Sequence, residues 1–224
     1  MNENAIAHEY LLGRRVTRLC HFTKIRSLTH ILMNEDGILA TEFIQDGIKQ
    51  QNDMERLDNA KDYVSCSLQY PNCWYWDKAK KSDADVIFKE WVVLTIDLDI
   101  LKCSSFKFSP CNAATGSGTY IREDVRNISD IFGEPTIKIK NREPDMLECC
   151  PTDDQAEIIV YKNIPVRYIN GIIVGNKEGA NLVAAILKTV DRIIPIYVSE
   201  DVCNKEWSRM VRRGMRPPEI EYPY

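Results

Sequence analysis

The chain has no apolar run long enough to cross a bilayer, so no spanning helix is expected. Its opening residues, Met1-Asn2-Glu3-Asn4, lack the pattern of a secretory signal, which leads to the expectation of a cytoplasmic protein without a membrane partner. There is no C-x-x-C pair, and the three histidines (His8, His21, His30) do not fall at zinc-ligand spacings, so no metal is expected. Without a secretion signal, the eight cysteines read as free thiols of a reducing compartment rather than as a disulfide framework. No phosphate-binding loop ending in Gly-Lys-Ser/Thr is present. Gly116-Ser117-Gly118 lacks the preceding strand and following helix of a Rossmann fingerprint. No internal repeat or low-complexity linker interrupts the chain, which makes one domain over residues 1–224 the simplest reading. A net charge of −4 argues against a protein that coats nucleic acid non-specifically, while leaving room for a local basic groove.

What is present is enough apolar material for a full core, with 44% hydrophobic residues. Arg18 to Phe22 reads as a buried strand, and Ile25, Leu28, Ile31 and Leu32 then recur at helical spacing up to a stop at Asp36-Gly37. Thr41 to Asp62 is polar and reads as a long loop with helical turns, a kind of segment that often carries function. Further strands are expected at Tyr63–Leu68, Trp91–Ile96, Ser104–Phe108, Ala156–Val160, Gly171–Val174 and Ile193–Val198. Helices are expected at Asn72–Lys81, Glu123–Phe132, Glu178–Val190 and about Val202–Arg213, with an irregular, Pro-punctuated stretch from Gly133 to Asp154. Strands alternating with short helices at irregular intervals favour an α+β fold over a doubly wound parallel sheet.

Two segments place a polar group where apolar side chains would otherwise dominate: Cys20-His21-Phe22-Thr23, and Gln155-Ala156-Glu157-Ile158-Ile159-Val160. Basic clusters occur at Arg14, Arg15 and Arg18, at Arg122, Arg126, Lys138, Lys140 and Arg142, and at Arg209, Arg212, Arg213 and Arg216. For any one cluster alone a solvated surface is the simpler explanation. Arg56, beside Glu55 and Asp58, is equally at home on a charged loop, and His21 could be a core histidine satisfied by backbone.

Taken in order, these segments change the balance. His21-Phe22-Thr23, Asp36-Gly37-Ile38-Leu39, Arg56, Tyr63-Val64-Ser65-Cys66-Ser67 with Pro71-Asn72, and Trp91-Val92-Val93-Leu94 run through the first half. Asn112-Ala113-Ala114, Thr152-Asp153-Asp154-Gln155-Ala156-Glu157-Ile158-Ile159-Val160, Ile164-Pro165 and Tyr168-Ile169 complete the series. The chain resembles the DarT family of DNA ADP-ribosyltransferases, toxins of toxin–antitoxin and anti-phage systems. The surroundings of Asn112 and Glu157 look more like the guanine-modifying branch than the thymine-modifying one. Cys111 stands where that motif has a glycine, which puts the local loop conformation in question because a side chain resists positive φ.

The resemblance implies an ADP-ribosyltransferase-like fold with a split central, mostly antiparallel β-sheet flanked by short helices, with NAD as co-substrate and no metal. It implies that His21 and Thr23 hold the adenosine side of NAD, that Arg56 engages its phosphates and shapes the active site, and that Glu157 is the catalytic acid. The loop from about Arg142 to Gln155 would face the target nucleotide of single-stranded DNA, and Lys138, Lys140 and Arg142 would contact its backbone. A neutralising partner, in this family often a macrodomain hydrolase, is implied as well. The competing readings are a transferase of the same fold acting on RNA or protein, a non-catalytic nucleic-acid-binding relative, and a tRNA-processing phosphotransferase of related architecture.

Overall fold

The computed structural model describes residues 2–44, 60–82, 90–133, 137 and 141–224. Helix α1 (Glu3–Gly13) opens the chain; the Asn2 side chain caps it by accepting from the Asn4 amide at 3.2 Å, and Ala7, His8 and Leu11 form its buried stripe. Strand β1 (Leu19–Lys24) leads through a 3₁₀ turn into α2 (Leu28–Met33), then β2 (Ile38–Leu39) and β3 (Tyr63–Leu68). Helix α3 (Cys73–Ser82) is started by Asn72, whose side chain accepts from the Tyr75 amide at 3.1 Å. Then follow β4 (Trp91–Ile96), α4 (Ile100–Cys103), β5 (Phe106–Ser109), β6 (Glu157–Tyr161), β7 (Asn163–Ile164) and β8 (Ile169–Val174). Helix α5 (Lys177–Thr189), β9 (Ile196–Val198), α6 (Glu206–Arg212) and β10 (Ile220–Tyr222) complete the chain.

Eight strands form one sheet in the order β10-β9-β8-β4-β1-β3-β6-β5, and β2 pairs with β7 in a separate ribbon. All pairings in the large sheet are antiparallel except β8 with β9, which α5 joins in a crossover. Every residue of β4 is buried, as its run of β-branched and aromatic side chains requires of a strand covered on both faces. The fold is α+β, with a mostly antiparallel sheet and short helices.

The sheet is split at its centre. Strand β1 pairs with β4 over six residues, from Leu19 to Lys24, but with β3 only at Leu19–Leu68 and Cys20–Ser67. Beyond Cys20 the two strands part. This opening, set by register rather than by any loop, creates the site.

The structure differs from the sequence reading in five places, and most of the expected Thr41–Asp62 loop, residues 45–59, lies outside the described residues. The strand expected at Ile193–Val198 is confined to Ile196–Val198, with Ile193 exposed. Helix α1 was not expected, because its apolar stripe is narrow. The Glu123–Phe132 helix is a run of 3₁₀ turns over Val125–Phe132, kinked at Asn127 (φ −89°, ψ 19°). The last helix is confined to Glu206–Arg212, and the tail after Pro217-Pro218 returns as an edge strand. The strand expected at Ser104–Phe108 is shifted, because α4 runs on to Cys103.

All eight cysteines are free, and only Cys103 is exposed. Burial pushes the Cys73 and Cys203 thiols up to about 12. Contact with Cys150, Sγ to Sγ 3.9 Å, lowers Cys149, yet Cys149 is 1% exposed, so access rather than acidity controls its reactivity. An aromatic disulfide reagent is therefore expected to titrate one thiol rapidly in the native protein and the remaining seven only on unfolding. Rapid reaction of several thiols in the folded state would contradict this packing.

Candidate active site

A cleft of about 1000 Å³ opens where β1 and β3 separate, walled by both strands, by α2 and the turn after it, and by the heads of α3 and β6. His21, Thr23 and Glu157 all line it. His21 is the first β1 residue beyond the β3 ladder, and its side chain replaces the missing backbone bond. Nδ1 lies 2.9 Å from the Ser65 carbonyl oxygen. A carbonyl only accepts, so in the neutral ring Nδ1 carries the proton and Nε2 is the acceptor. Thr23, two residues on, is buried and shares the His21 face of β1. Phe22 faces the other way, stacked on Trp76 at 5.6 Å and tilted against Trp91 at 5.9 Å, which fixes the strand beneath the cleft.

Glu157 heads β6, paired across from Ser67 on one side and Ser109 on the other. It is 7% exposed. Its Oε1 accepts a hydrogen bond from Asn112 Nδ2 at 3.0 Å, with the Ala113 amide 3.5 Å away. The Asn112 side-chain Oδ1 accepts from the Ala114 amide at 3.1 Å, so the loop orients the asparagine and the asparagine orients the carboxylate. Asn112 holds the Glu157 carboxylate, a contact to which the sequence reading gave no role. The signal was there, in Asn112-Ala113-Ala114, but nothing in the sequence links it to a residue 45 positions away. Cys111 is absent from the residues with positive φ, so the loop accommodates its side chain without strain.

The two cleft thiols are poor nucleophiles: burial pushes Cys20 up to about 11 and Cys66 well above its ordinary value. Five aromatic residues crowd positions 63–76: Tyr70 and Trp76 are core, Trp74 is exposed with the Lys205 ammonium 4.6 Å from its ring centre, and Tyr63 and Tyr75 line the cleft.

The remaining predicted residues divide. Arg56, Lys138 and Lys140 lie outside the described residues. Arg142 donates to the carbonyl oxygens of Cys150 (2.8 Å) and Leu147 (2.5 Å), and so braces the irregular loop that leads to Glu157. Gln155 is half-buried near the end of that loop, its amide donating to Asp153 Oδ1 at 3.0 Å. Arg122 and Arg126 are paired with Asp130 and Asp124, each at 2.7 Å. Among the described residues no cluster of His, Cys, Asp or Glu suits a metal ion, and no helix is long and apolar enough to cross a membrane.

Residues 20–204 match the family described as "DarT: ssDNA thymidine ADP-ribosyltransferase, DarT". The chain belongs to the DarT family. No match was found among curated protein sequences. Solved DarT structures share the fold. Thermus sp. 2.9 DarT in complex with ADP-ribosylated ssDNA superposes with a TM-score of 0.62 at 17% identity, over 84% of this chain and 96% of that one. The same Thermus protein in complex with NAD+ gives 0.57 at 19% identity, over 83% and 96%. Thermosipho africanus DarTG in complex with ADP-ribose gives 0.53 at 19% identity; the match covers 84% of this chain but 51% of that longer protein. The DarT family is one of ADP-ribosyltransferases acting on single-stranded DNA, and the split sheet is the part of its fold that this chain uses to build a cleft.

Proposed function

We propose that this chain transfers ADP-ribose from NAD to a base of single-stranded DNA, with Glu157 as the catalytic residue. The observation that carries the proposal is the Glu157 carboxylate, held by Asn112 inside the cleft that His21 and Thr23 also line. NAD as the donor is supported by the Thermus DarT complexes with NAD+ and carba-NAD+. The acceptor is supported by the family description and by the Thermus complex with ADP-ribosylated ssDNA.

The chemistry follows from charge. Breaking the bond between nicotinamide and ribose C1′ lets nicotinamide leave with the electron pair as a neutral group, so no strong acid is required. Positive charge develops on the ribose. Glu157 accepts from the ribose hydroxyls, and that interaction strengthens as the charge grows, in a site where most water is excluded. The new bond joins C1′ to a base nitrogen, whose proton passes to Glu157 or to a water that Glu157 orients. His21 and Thr23 hold the adenosine side, Arg56 grips the pyrophosphate with its planar fork, and Tyr63 or Tyr75 stacks on a ring in the cleft. Arg142 keeps the 142–155 loop in shape against the acceptor, with Gln155 at its end, while Lys138 and Lys140 contact phosphates.

A base in a duplex is out of reach of such chemistry, which makes single-stranded DNA the natural acceptor. Guanine is supported by the Asn112-Ala113-Ala114 and Asp154-Gln155-Ala156-Glu157 surroundings. The family description names thymidine, which favours thymine as the second reading. The chain then acts as a cytoplasmic toxin opposed by an antitoxin, a macrodomain ADP-ribosyl hydrolase; the DarTG neighbour supports the toxin–antitoxin context. Incubation with labelled NAD and separate pools of single-stranded DNA, RNA and protein is the test. Label is expected on the DNA pool. Label confined to RNA or protein, or nicotinamide release with no acceptor in any pool, would overturn the proposal.

A further inference from the structure

Asp154 lies three residues before Glu157 and is 3% exposed, a costly place for a carboxylate. It is fully engaged there by one helix. Its Oδ1 accepts from Arg212 Nη2 at 2.8 Å and its Oδ2 from Ser208 Oγ at 2.6 Å, both on α6. The same Arg212 nitrogen lies 3.3 Å from the Thr152 carbonyl oxygen, and the Leu147 amide donates to the Val211 carbonyl at 3.0 Å. Four contacts therefore tie the irregular segment ahead of β6 to a single short helix. Asp153, fully buried, shapes the next step by accepting the Gln155 amide on its side chain and the Ala156 amide on its carbonyl.

Glu157 is held differently. The contacts described for it include Asn112 and the β3 and β5 ladders, none of them on α6. The site thus has two separate supports, one for the carboxylate and one for the segment just before it. A buried ion pair stabilises a fold little more than apolar packing would, but its directional bonds fix one geometry. Placed immediately ahead of the catalytic strand, such a pair specifies where the Gln155 end of the segment lies.

We propose that Asp154, gripped by Arg212 and Ser208, is a positioning residue for the DNA acceptor: it sets the 152–155 segment against the target base and leaves NAD binding to the rest of the cleft. This rests on the reading of the chain as a DNA ADP-ribosyltransferase. Arg212 suits the task because its planar guanidinium fixes the directions in which Nη2 meets the carboxylate and the carbonyl, whereas the ammonium of a lysine rotates freely.

The test uses the full chain with NAD and a single-stranded oligonucleotide, comparing Ser208→Ala and Arg212→Lys with wild type. Equilibrium affinity for NAD is measured without DNA, and transfer is measured at saturating NAD. Ser208→Ala is expected to lower transfer about threefold and Arg212→Lys about tenfold, each with NAD affinity within about twofold of wild type, the scale of losing one or more charge-assisted hydrogen bonds. A structural role alone would lower transfer and NAD affinity together, and that outcome overturns the proposal. If Arg212→Lys shows no cooperative melting transition, Ser208→Ala decides alone: wild-type transfer in that variant overturns the proposal. Absence of transfer by the wild-type chain overturns the underlying reading, and the proposal with it.

Discussion

Glu157→Ala is expected to reduce ADP-ribose transfer by roughly 10³-fold or more while leaving NAD affinity within a few-fold of wild type. The size follows from two lost contributions. A general base supplies about 10²–10⁴-fold, and a preorganised charge facing a developing cation adds to it. The separation from binding follows from geometry. Glu157 is at the head of β6, while His21 and Thr23, which hold the adenosine side in the proposed function, are on β1 across the split. Glu157→Gln keeps the size and the bond from Asn112 Nδ2 to a carbonyl oxygen, but not the charge, so it is expected to be nearly as inactive. Single-turnover transfer beside calorimetric NAD binding checks both variants. Substantial transfer by either would remove Glu157 from the mechanism.

Gly37→Ala is expected to be the most damaging small substitution to stability. Gly37 has φ +66°, a conformation that costs an L side chain about 1–2 kcal/mol. A β-carbon there would sit 2.2 Å from the Ile164 carbonyl oxygen and 2.7 Å from the Val166 amide nitrogen. Both are backbone atoms and cannot rotate aside. They are also committed, because β7 pairs with β2 and the Val166 amide donates to the Glu35 carbonyl at 3.1 Å. Overpacking adds about 1–3 kcal/mol, for a total of about 2–5 kcal/mol. In a chain of this size that lowers Tm by roughly 5–15 °C. Gly37 also lines the cleft, so NAD affinity should fall with stability. Gly13→Ala is the internal control: nothing lies within 4 Å of its β-carbon, and Tm should hold or rise slightly. Equal melting temperatures for the two variants would contradict the tight crossing at Gly37.

The sequence made the sheet legible where burial dominates. Trp91–Ile96 reads as a core strand because five of its six side chains are apolar and the sixth, Thr95, is β-branched, and the structure buries all six. Helix α5 was legible from its apolar spacing, although it starts one residue earlier, where Asn176 caps it through the Gly179 amide at 2.8 Å. Strand β10 was not legible: Ile220–Tyr222 is largely exposed and is held by pairing with β9, which no local pattern announces. The 3₁₀ character of Val125–Phe132 was hidden too, because Val125, Ile128, Ile131 and Phe132 repeat at a spacing that suits either helix.

The site divides along the same line. His21 and Glu157 stood out as polar residues in apolar strands, Thr23 entered only through the family resemblance, and all three line one cleft. What holds them was invisible. The bonds from Asn112 to Glu157 and from Arg212 to Asp154 join residues 45 and 58 positions apart, and only the folded chain brings them together. Arg142 shows the converse. It was expected to contact the DNA backbone, and in the structure its guanidinium donates to carbonyls of its own loop, a use of arginine that composition cannot separate from phosphate binding.

The most direct test is the mass of a short, guanine-containing single-stranded oligonucleotide after incubation with NAD and either wild-type chain or Glu157→Ala. Wild type is predicted to add one ADP-ribose to the strand and release one nicotinamide, and Glu157→Ala to leave the strand unchanged while still binding NAD. Equal modification by the two proteins, or an unmodified strand under conditions where wild type binds NAD, would contradict it.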